Sequence, residues 1–228
     1  MGIPVLILGE SGSGKTYSLK HMDPEKVGVF SVRKGTLPFP EGKRFRILKN
    51  AGYEAIYKVL AKPGLKTYVI DDSQYLMVNE YFRKANDSGY AKYTQIGKNF
   101  SDLLEYIAYR VPDDVIVYFL HHTQTTSDGK VKAKTVGQML DNYLTLEGCV
   151  DICLICQTDG QTHYFMTQSD GSNTAKSPEG MFDLKIPNDL AAVDAAIREY
   201  WGLNDTKLTP KERNMAQMII GDPLKGGQ

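Results

Sequence analysis

LGESGSGKT, residues 8–16, lies near the start of a 228-residue chain and follows the apolar run IPVLI. The stretch fits G-x-x-x-x-G-K-[ST], the pattern of a phosphate-binding loop (P-loop). Glycines allow the backbone torsions that such a loop needs, so that its N–H groups can point inward as a nest for an anion. The residues KTYSLKHM predict a helix whose N-terminal dipole adds to the attraction. Strand, loop, Lys-Thr and helix together favour a nucleotide site over a chance glycine-rich turn.

The motif assigns a role to its polar residues. Lys15 would reach the β- and γ-phosphates and take part in catalysis, and the Thr16 hydroxyl would be a ligand of Mg²⁺. The sequence contains no N-K-x-D segment of the kind that recognises guanine, so ATP is the expected nucleotide. The predicted nucleotide-binding residues are Gly9, Glu10, Ser11, Gly12, Ser13, Gly14, Lys15 and Thr16.

A second apolar run, KTYVIDDSQYLM, supplies carboxylates. Residues 68–70 predict a buried strand of a parallel sheet, and Asp71 and Asp72 follow at its C-terminal end, where open α/β sheets bind ligands. We expect Asp71 to order Mg²⁺ through water. Asp72 is the candidate catalytic residue that polarises the attacking water, and the alternative is that it caps a helix or is a loop carboxylate.

The segment FLHHTQ ends a strand that we expect to lie beside the P-loop strand. In NTPases of this shape a polar residue at this place senses the γ-phosphate. His121 and His122 are adjacent and point oppositely in an extended chain, so only one of them can face the nucleotide. We assign that role to His122 as a further catalytic residue, and a hydrogen-bonded structural histidine is the alternative at either position.

TTSDGKVKAKTVGQMLD follows, and its Asp128-Gly129 pair is typical of a hairpin turn. Lys130, Lys132 and Lys134 alternate after the turn, so on an extended strand they share one face. Such a row of cations suits the phosphates of single-stranded DNA or the ATP of a neighbouring subunit. The alternative is an edge strand that lysines protect from further pairing.

A long polar loop, TQSDGSNTAKSPEGMF at 167–182, comes later in the chain. Loops of this length in compact domains are usually functional or mobile. Phosphoryl-transfer ATPases often take a cation from a partner subunit to neutralise the transition state. Lys176 is the candidate for this catalytic role, and a plain surface lysine is the alternative.

The order of elements predicts the fold class. Strands alternate with helices early, and β-structure accumulates late, where VDICLICQT and THYFMTQ flank DGQ as a hairpin. We therefore expect an α/β protein with a mainly parallel sheet flanked by helices and an antiparallel β extension. In the first hairpin strand Cys153 and Cys156 point to opposite faces, which argues against an iron–sulfur cluster shared with Cys149. The predicted domains are an ATP-binding domain at 1–202 and a tail at 203–228 that is partly helical or disordered.

The composition sets limits on function. Lys and Arg number 27, as do Asp and Glu, so the net charge is zero; this argues against bulk polyanion binding but leaves room for a local basic groove. We find no stretch long and apolar enough to span a membrane and no signal-peptide pattern. Three cysteines and a P-loop indicate a reducing compartment, so the expected location is cytoplasmic.

The motifs GESGSGKT, VIDDSQYLM, HHTQTTSDGKVKAKTVGQMLD and TQSDGSNTAKSPEGMF together resemble the phage RecA-like ATPases. These are single-domain ATP-binding proteins that include the Sak-type single-strand annealing recombinases. The resemblance extends to about Trp201, and the basic hairpin and the NTAKSP loop are its more specific parts. It implies a RecA-like P-loop core, ATP and Mg²⁺ as cofactors, single-stranded DNA as a partner and the host cytoplasm as the location. It also implies cooperation with a single-strand DNA-binding protein and a homo-oligomer with ATP near subunit boundaries.

One departure from this pattern concerns the catalytic base. RecA-type ATPases commonly place a glutamate at the end of the second strand, but here that strand ends FSVRKG, with Arg33 and Lys34. The base is then another residue, such as Asp72 or Glu41, or hydrolysis is slow. The leading hypothesis is a DNA-stimulated ATPase of phage recombination that anneals or pairs strands. The alternatives are a P-loop kinase of small molecules or nucleotides, for which an arginine-bearing lid is not evident, and a non-hydrolysing replication or packaging accessory protein.

Overall fold

The computed structural model describes residues 1–33, 35–137 and 145–203. The strands in these ranges are β1 Ile3–Gly9, β2 Val27–Ser31, β3 Arg46–Lys49, β4 Thr67–Asp71, β5 Ile116–Thr125, β6 Val131–Ala133, β7 Ile152–Thr158, β8 His163–Met166 and β9 Lys185–Pro187. The α-helices are α1 Tyr53–Leu60, α2 Gln74–Arg83, α3 Ala91–Arg110 and α4 Leu190–Tyr200. Short 3₁₀ helices cover Thr16–His21, Pro40–Arg44 and Leu146–Cys149.

The strands form one sheet in the order β3-β2-β4-β5-β1-β7-β8-β9, and β6 pairs with β5 outside this row. Neighbours from β3 to β7 run parallel, whereas β6, β8 and β9 pair antiparallel. The expected mixed α/β fold, with a mainly parallel sheet and an antiparallel extension, is therefore confirmed. The P-loop strand β1 also lies directly beside β5, as expected, with Gly9 opposite His122.

Both faces of the sheet are buried because its central strands are continuously apolar. Residues 5–8 of β1 and 116–120 of β5 have no exposed surface, as expected for parallel strands that are covered on both sides. One face packs against α1, α2 and α3, and the other packs against α4. Cys153 and Cys156 of β7 lie in these two separate cores, on opposite faces of the sheet as their spacing predicted.

Two local features add detail that the sequence did not specify. The helix after the P-loop is a single 3₁₀ stretch, Thr16–His21, so the dipole that it adds at the loop is smaller than that of a long α-helix. The polar loop at 167–182 is tied to other elements of the chain. Val131 N donates to Ser172 O at 2.8 Å, and the backbones of Lys176 and Cys153 exchange two hydrogen bonds of 2.8 Å. The loop thereby packs beside the basic hairpin.

The start of α4 lies close to the P-loop. The carboxylate of Asp189 caps this helix by accepting hydrogen bonds from Ala191 N at 2.9 Å and Ala192 N at 3.4 Å. Such a cap satisfies N–H groups that would otherwise have no partner within the helix. It also fixes the preceding residue, Asn188, whose side chain reaches the P-loop.

In the described part of the chain no helix combines the length and the apolar character that crossing a membrane requires. The tail predicted from residue 203 lies, apart from Leu203 itself, outside the described residues. Leu203 packs against the core on the face covered by α4. The domain boundary at 202 stays a prediction.

Candidate nucleotide-binding site

A cleft of about 610 Å³ opens where β1, β4 and β5 end, at the carboxyl edge of the parallel sheet. Its volume is in the range of small-molecule sites, and open α/β sheets usually bind ligands at this edge. Five residues of the P-loop, both aspartates and His122 line it, whereas the predicted nucleotide-binding residues Gly9, Glu10 and Ser13 do not. The described residues that line the cleft are Ser11, Gly12, Gly14, Lys15, Thr16, Tyr17, Arg33, Thr36, Pro38, Asp71, Asp72, Tyr75, His122 and His163.

Lys15 closes the P-loop on itself. Its Nζ donates to Gly9 O and to Glu10 O, both at 2.7 Å. Burial lowers the pKa of Lys15, while Cys156 and the neighbouring carboxylates act electrostatically in the opposite direction. The side chain is therefore an almost enclosed cation at the base of the cleft, where the attraction for an anion is only weakly screened by water.

Thr16 and Asp71 join the P-loop to β4, because Thr16 Oγ1 donates to Asp71 Oδ1 at 2.8 Å. Burial raises the pKa of Asp71 to about 6; Asp72 adds to the rise, while Thr16 and Lys15 oppose it. A hydroxyl and a carboxylate are oxygen donors of the kind that Mg²⁺ binds together with phosphates. Within the described ranges no group of three or more His, Cys, Asp or Glu could hold a metal ion. Mg²⁺ at this place would therefore need the phosphate oxygens of the nucleotide as well.

Asp71→Asn is expected to raise the free energy of unfolding of the nucleotide-free protein by up to about 3 kcal/mol at about pH 7.5, the equivalent of about two pKa units. The pKa of Asp71 rises from 3.8 to about 6 in the fold, so the folded state binds this proton more tightly than the unfolded chain does. The stability that results is present below pH 3.8 and is lost as pH rises through about 6. Asparagine carries no charge at either pH. The variant should therefore be more stable than wild type at about pH 7.5, and this difference should disappear near pH 3.8, where Asp71 is protonated in the fold. Urea unfolding at both pH values measures it.

The control for this prediction is Asp151→Asn, because Asp151 is exposed on the surface. That change should leave the free energy of unfolding within about 0.5 kcal/mol. Asp71→Asn should also lose Mg²⁺-dependent ATP binding despite its greater stability, since a neutral amide is a poor ligand for a hard cation. An Asp71→Asn protein less stable than wild type at about pH 7.5 would contradict the cost that we assign to burying this carboxylate.

Asp72 follows β4 in a left-handed backbone conformation, with φ of 59°. Aspartate tolerates this conformation better than most residues, and strained backbone of this kind clusters at functional sites. Its Oδ1 lies 3.4 Å from His122 Nε2, and the Tyr75 ring meets the His122 ring edge-on at 6.0 Å between centroids. The residue at the N-cap of α2 is Ser73, not Asp72. Asp72 therefore contributes its carboxylate to the cleft, beside His122.

His121 faces away from the cleft and is fully buried. Burial lowers its pKa to about 4, so the ring is neutral near pH 7. Its Nε2 lies 2.8 Å from Lys134 O, which can only accept, so Nε2 carries the proton and Nδ1 accepts from Ser73 Oγ at 2.9 Å. His121 thus joins the residue after Asp72 to the basic hairpin, and it is the structural histidine of the pair.

Side chains from the antiparallel extension hold the P-loop from outside. His163 Nδ1 donates to Ser13 O at 2.7 Å, and Cys156 Sγ donates to the same oxygen at 2.9 Å. Asn188 Nδ2 donates to Gly14 O at 3.1 Å. These bonds hold the carbonyls of Ser13 and Gly14 toward the outside of the loop. The N–H groups on the opposite side of the same peptides can then point inward, where an anion would bind. These contacts could not be predicted from the sequence, since no motif links residues that are 150 and 174 positions apart.

Gly14→Ala is expected to weaken ATP binding at least about 10-fold more than Gly12→Ala. Both glycines have positive φ, 98° and 83°, so either alanine is strained by about 1–2 kcal/mol. A Cβ on Gly14 would also lie 2.6 Å from Asn188 Nδ2 and 2.9 Å from His163 Nδ1, whereas a Cβ on Gly12 meets nothing within 4 Å. Calorimetric titration of both variants with ATP measures the difference. Equal affinities would mean that the outer contacts do not shape the loop.

The basic hairpin, residues 122–134, begins at the edge of the cleft. β5 passes His122 and extends to Thr125, beyond its pairing with β1. β6 returns antiparallel beside it, and Lys134 N donates to His122 O at 2.9 Å. Ala133 is buried, so alternation places the lysines on the opposite face of this arm. Those lysines are Lys130 and Lys134, both exposed, and Lys132, half-buried.

A buried carboxylate joins the hairpin to the polar loop. Glu147 Oε1 accepts hydrogen bonds from Ala133 N at 2.7 Å and from Thr174 Oγ1 at 2.8 Å. Because these bonds lie on the buried side, both segments are fixed to the same 3₁₀ helix, Leu146–Cys149. The hairpin and the polar loop are therefore held next to each other through Glu147.

The structure does not bring every predicted residue into the cleft. Lys176 is half-buried and paired through its backbone to Cys153 of β7, away from the residues that line the cleft. The three hairpin lysines and Glu41 do not line it either. A catalytic role for Lys176 would thus need the cleft of a second copy. Lys34 lies outside the described residues, as do residues 138–144, which include part of the GQMLD stretch.

No protein-family profile matches this sequence, and no curated protein matches it. One solved structure with a similar fold is that of a DnaB-like replicative helicase, described with its interactions with primase. The two chains are 18% identical, with a TM-score of 0.50, and the match covers 78% of this chain and 52% of the helicase chain. This chain therefore spans about half the length of that helicase chain. At this identity the likeness concerns the fold alone, and it is consistent with a RecA-like core.

Proposed function

We propose that the chain is an ATPase that acts on single-stranded DNA in phage DNA recombination, by annealing or pairing strands. The observation that carries this proposal is the path of β5, which bears His122 in the cleft and then continues as the first arm of the basic hairpin. A change at the phosphate end of the cleft can therefore reach the hairpin lysines along one strand. Packed strands of this kind are one physical route by which two sites can be coupled.

In the proposed reaction the P-loop binds the phosphates of ATP. Lys15 exchanges its bonds to Gly9 O and Glu10 O for the β- and γ-phosphates, and the N–H groups of the loop surround them. Thr16 and Asp71 would hold Mg²⁺, which neutralises part of the phosphate charge. Water is displaced as the cleft fills, so each of these charges acts more strongly than it would in solution.

Asp72 is the proposed general base. Its carboxylate orients the attacking water and takes its proton, and His122, 3.4 Å away, positions the carboxylate and senses the terminal phosphate. A carboxylate at the end of β4 would thus replace the glutamate that is missing from the neighbouring β2. Glu41, the other candidate base, does not line the cleft, so we assign it no role.

The basic hairpin is the proposed DNA-binding element. Lys130, Lys132 and Lys134 would contact the phosphates of a single strand, so binding would depend on salt and little on base sequence. In a homo-oligomer Lys176 would enter the cleft of the neighbouring subunit and stabilise the transferring phosphoryl group. A single-strand DNA-binding protein is the expected further partner.

Two likenesses support the proposal. The fold is similar to that of a DnaB-like replicative helicase, which supports a nucleotide-dependent activity linked to DNA. The recombination role rests on the resemblance of the sequence motifs to phage RecA-like ATPases, and on the hairpin that those motifs predicted.

The test is ATP hydrolysis with and without single-stranded DNA, in wild type and in a variant in which the three hairpin lysines are replaced by alanine. We expect DNA to stimulate wild type but not the variant. The slope of log affinity for DNA against log salt should fall by about 2, since each phosphate contact contributes about 0.7. A control with Lys26, Lys58 and Lys62 replaced by alanine removes the same charge elsewhere and should keep the stimulation. Wild-type hydrolysis that is indifferent to DNA would overturn the proposal.

A small-molecule kinase is the second candidate, because Arg33 lines the cleft beyond the aspartates. An arginine thus lines the same cleft as the P-loop, which the sequence alone did not indicate. A kinase would consume ATP faster with a phosphate acceptor, such as a nucleoside monophosphate, than with DNA. A non-hydrolysing accessory protein would bind ATP and respond to neither.

A further inference from the structure

Arg33 is the cation of the cleft that the proposed reaction does not use. It lies two residues after Ser31 of β2, which is opposite Asp71 of β4, so it stands at the same edge of the sheet as the two aspartates. Its side chain is exposed and lines the cleft. Among the described residues that line the cleft, Lys15 and Arg33 are the two of Lys or Arg type. The cleft therefore has one such cation in the P-loop and one across from it.

The guanidinium of Arg33 is held by a ring. Its central carbon lies 4.4 Å from the centroid of the Tyr75 ring. An arginine over an aromatic face is attracted by the ring, while the N–H groups at its edge remain able to bind an anion. Tyr75 thus restricts where the guanidinium can be without neutralising its charge.

Tyr75 also connects Arg33 with the proposed catalytic pair. Its ring meets the His122 ring edge-on, 6.0 Å between centroids, and His122 Nε2 lies 3.4 Å from Asp72 Oδ1. Arg33, Tyr75, His122 and Asp72 therefore form a row of four side chains, and all four line the cleft. We call this the Arg33 row.

We propose that Arg33 binds the γ-phosphate in its own subunit and thereby distinguishes ATP from ADP, with Tyr75 as its positioning residue. This inference rests on the proposed nucleotide function of the cleft. Lys15, with the Mg²⁺ that Thr16 and Asp71 would hold, would set the terminal phosphate beside Asp72 and His122, and Arg33 is connected to this pair through Tyr75. A guanidinium there can bind two phosphate oxygens at once, which an ammonium cannot do in the same planar geometry.

The Arg33 row then connects the γ-phosphate site with the basic hairpin outside the cleft. His122 belongs to β5, and its carbonyl accepts the hydrogen bond from Lys134 N in the basic hairpin. Loss of the γ-phosphate removes the ligand of Arg33 at one end of the row. His122, two side chains along the row from Arg33, is joined to the hairpin, so DNA affinity is expected to follow the state of the nucleotide.

The experiment compares the affinities for ATP and ADP, each measured by displacement of a fluorescent nucleotide, in the presence of Mg²⁺. In wild type ATP should bind more tightly than ADP. Arg33→Ala should weaken ATP binding about 10-fold or more and leave ADP binding within about 2-fold, because a charge-assisted contact to the γ-phosphate is lost. Arg33→Lys should recover part of the loss. Arg46→Ala, at an exposed arginine of β3, is the control and should change neither affinity.

Variants of Tyr75 test whether its ring positions the Arg33 guanidinium or only supports the fold. Tyr75→Phe keeps the ring and should keep the ratio of ATP to ADP affinity, whereas Tyr75→Leu should lower it several-fold while ADP still binds. An equal loss for ATP and ADP in Arg33→Ala, or no loss at all, would overturn the inference. So would a loss of DNA binding with an unchanged ratio, which would make Arg33 a DNA contact. If wild type binds neither nucleotide, or Lys15→Ala binds both normally, the proposed function fails and the inference fails with it.

Discussion

Replacement of Lys15 by alanine is expected to lower the affinity for ATP at least about 100-fold and to abolish measurable hydrolysis. The side chain is almost fully buried and carries the charge at the base of the cleft. Hydrogen bonds from a charged donor contribute about 1.5–3 kcal/mol each, and two phosphates lose their partner together. The variant also loses the two 2.7 Å bonds that close the loop onto Gly9 and Glu10, so the empty site is less well formed. Calorimetric titration with ATP and a phosphate-release assay measure both effects.

The matched control is Lys20→Ala. Lys20 belongs to the 3₁₀ helix that follows the loop, and its Nζ donates to Tyr17 OH at 2.9 Å on the surface. The change removes an equal charge from the same element, yet it should alter ATP affinity only slightly. Thermal unfolding of both variants checks that the fold is retained. Normal ATP binding by Lys15→Ala would mean that the nucleotide, if any, binds elsewhere.

Replacement of Asp72 by asparagine is expected to slow hydrolysis by about 100- to 10,000-fold with little change in ATP affinity. General bases contribute rate factors of this size, and an amide cannot take the proton of the attacking water. Asparagine tolerates the left-handed conformation at this position, where φ is 59°, so the change removes the charge without forcing the backbone to move. Single-turnover hydrolysis, set beside the dissociation constant for ATP, separates the chemical step from binding.

The comparison variants for Asp72 are His122→Ala and Glu41→Gln. His122 acts on the carboxylate across 3.4 Å, so its loss should slow hydrolysis by a smaller factor than the loss of Asp72 itself. Glu41 does not line the cleft and should tolerate the change. If Glu41→Gln were as slow as Asp72→Asn, the base would have been assigned to the wrong carboxylate.

The sequence predicted the parts of the site that follow from local pattern. The P-loop spacing and the apolar run before Asp71 each specify a backbone shape within about ten residues, and the carboxyl ends of parallel strands meet at one edge of a sheet. The alternating lysines likewise required only that their segment be extended. Local motif spacing, together with the shared carboxyl edge of parallel strands, was therefore enough to predict that Lys15, Asp71 and His122 lie close together.

The remaining features depend on contacts that no short stretch encodes. Arg33 was noted only for the glutamate that it replaces, because its position over Tyr75 is created when β2 and β4 pair. A helix was expected after the P-loop, and its six residues form a 3₁₀ helix between the loop and β2, a helix type that the local pattern did not specify. The polar loop at 167–182 was recognised by length and composition, whereas Glu147, which fastens it, stands in another segment.

The contacts of His163 and Asn188 with the P-loop have a consequence for the order in which the site is made during synthesis. Asn188 follows Gly14 by 174 residues, so the loop is synthesised well before this partner. At about 5–20 residues per second this interval is roughly 10–30 s. Throughout that time the nascent loop lacks Asn188, and for most of it the loop also lacks His163, which follows Ser13 by 150 residues. ATP would therefore bind the finished chain more tightly than its precursors. In a cell with abundant ATP, this binding would stabilise the completed fold.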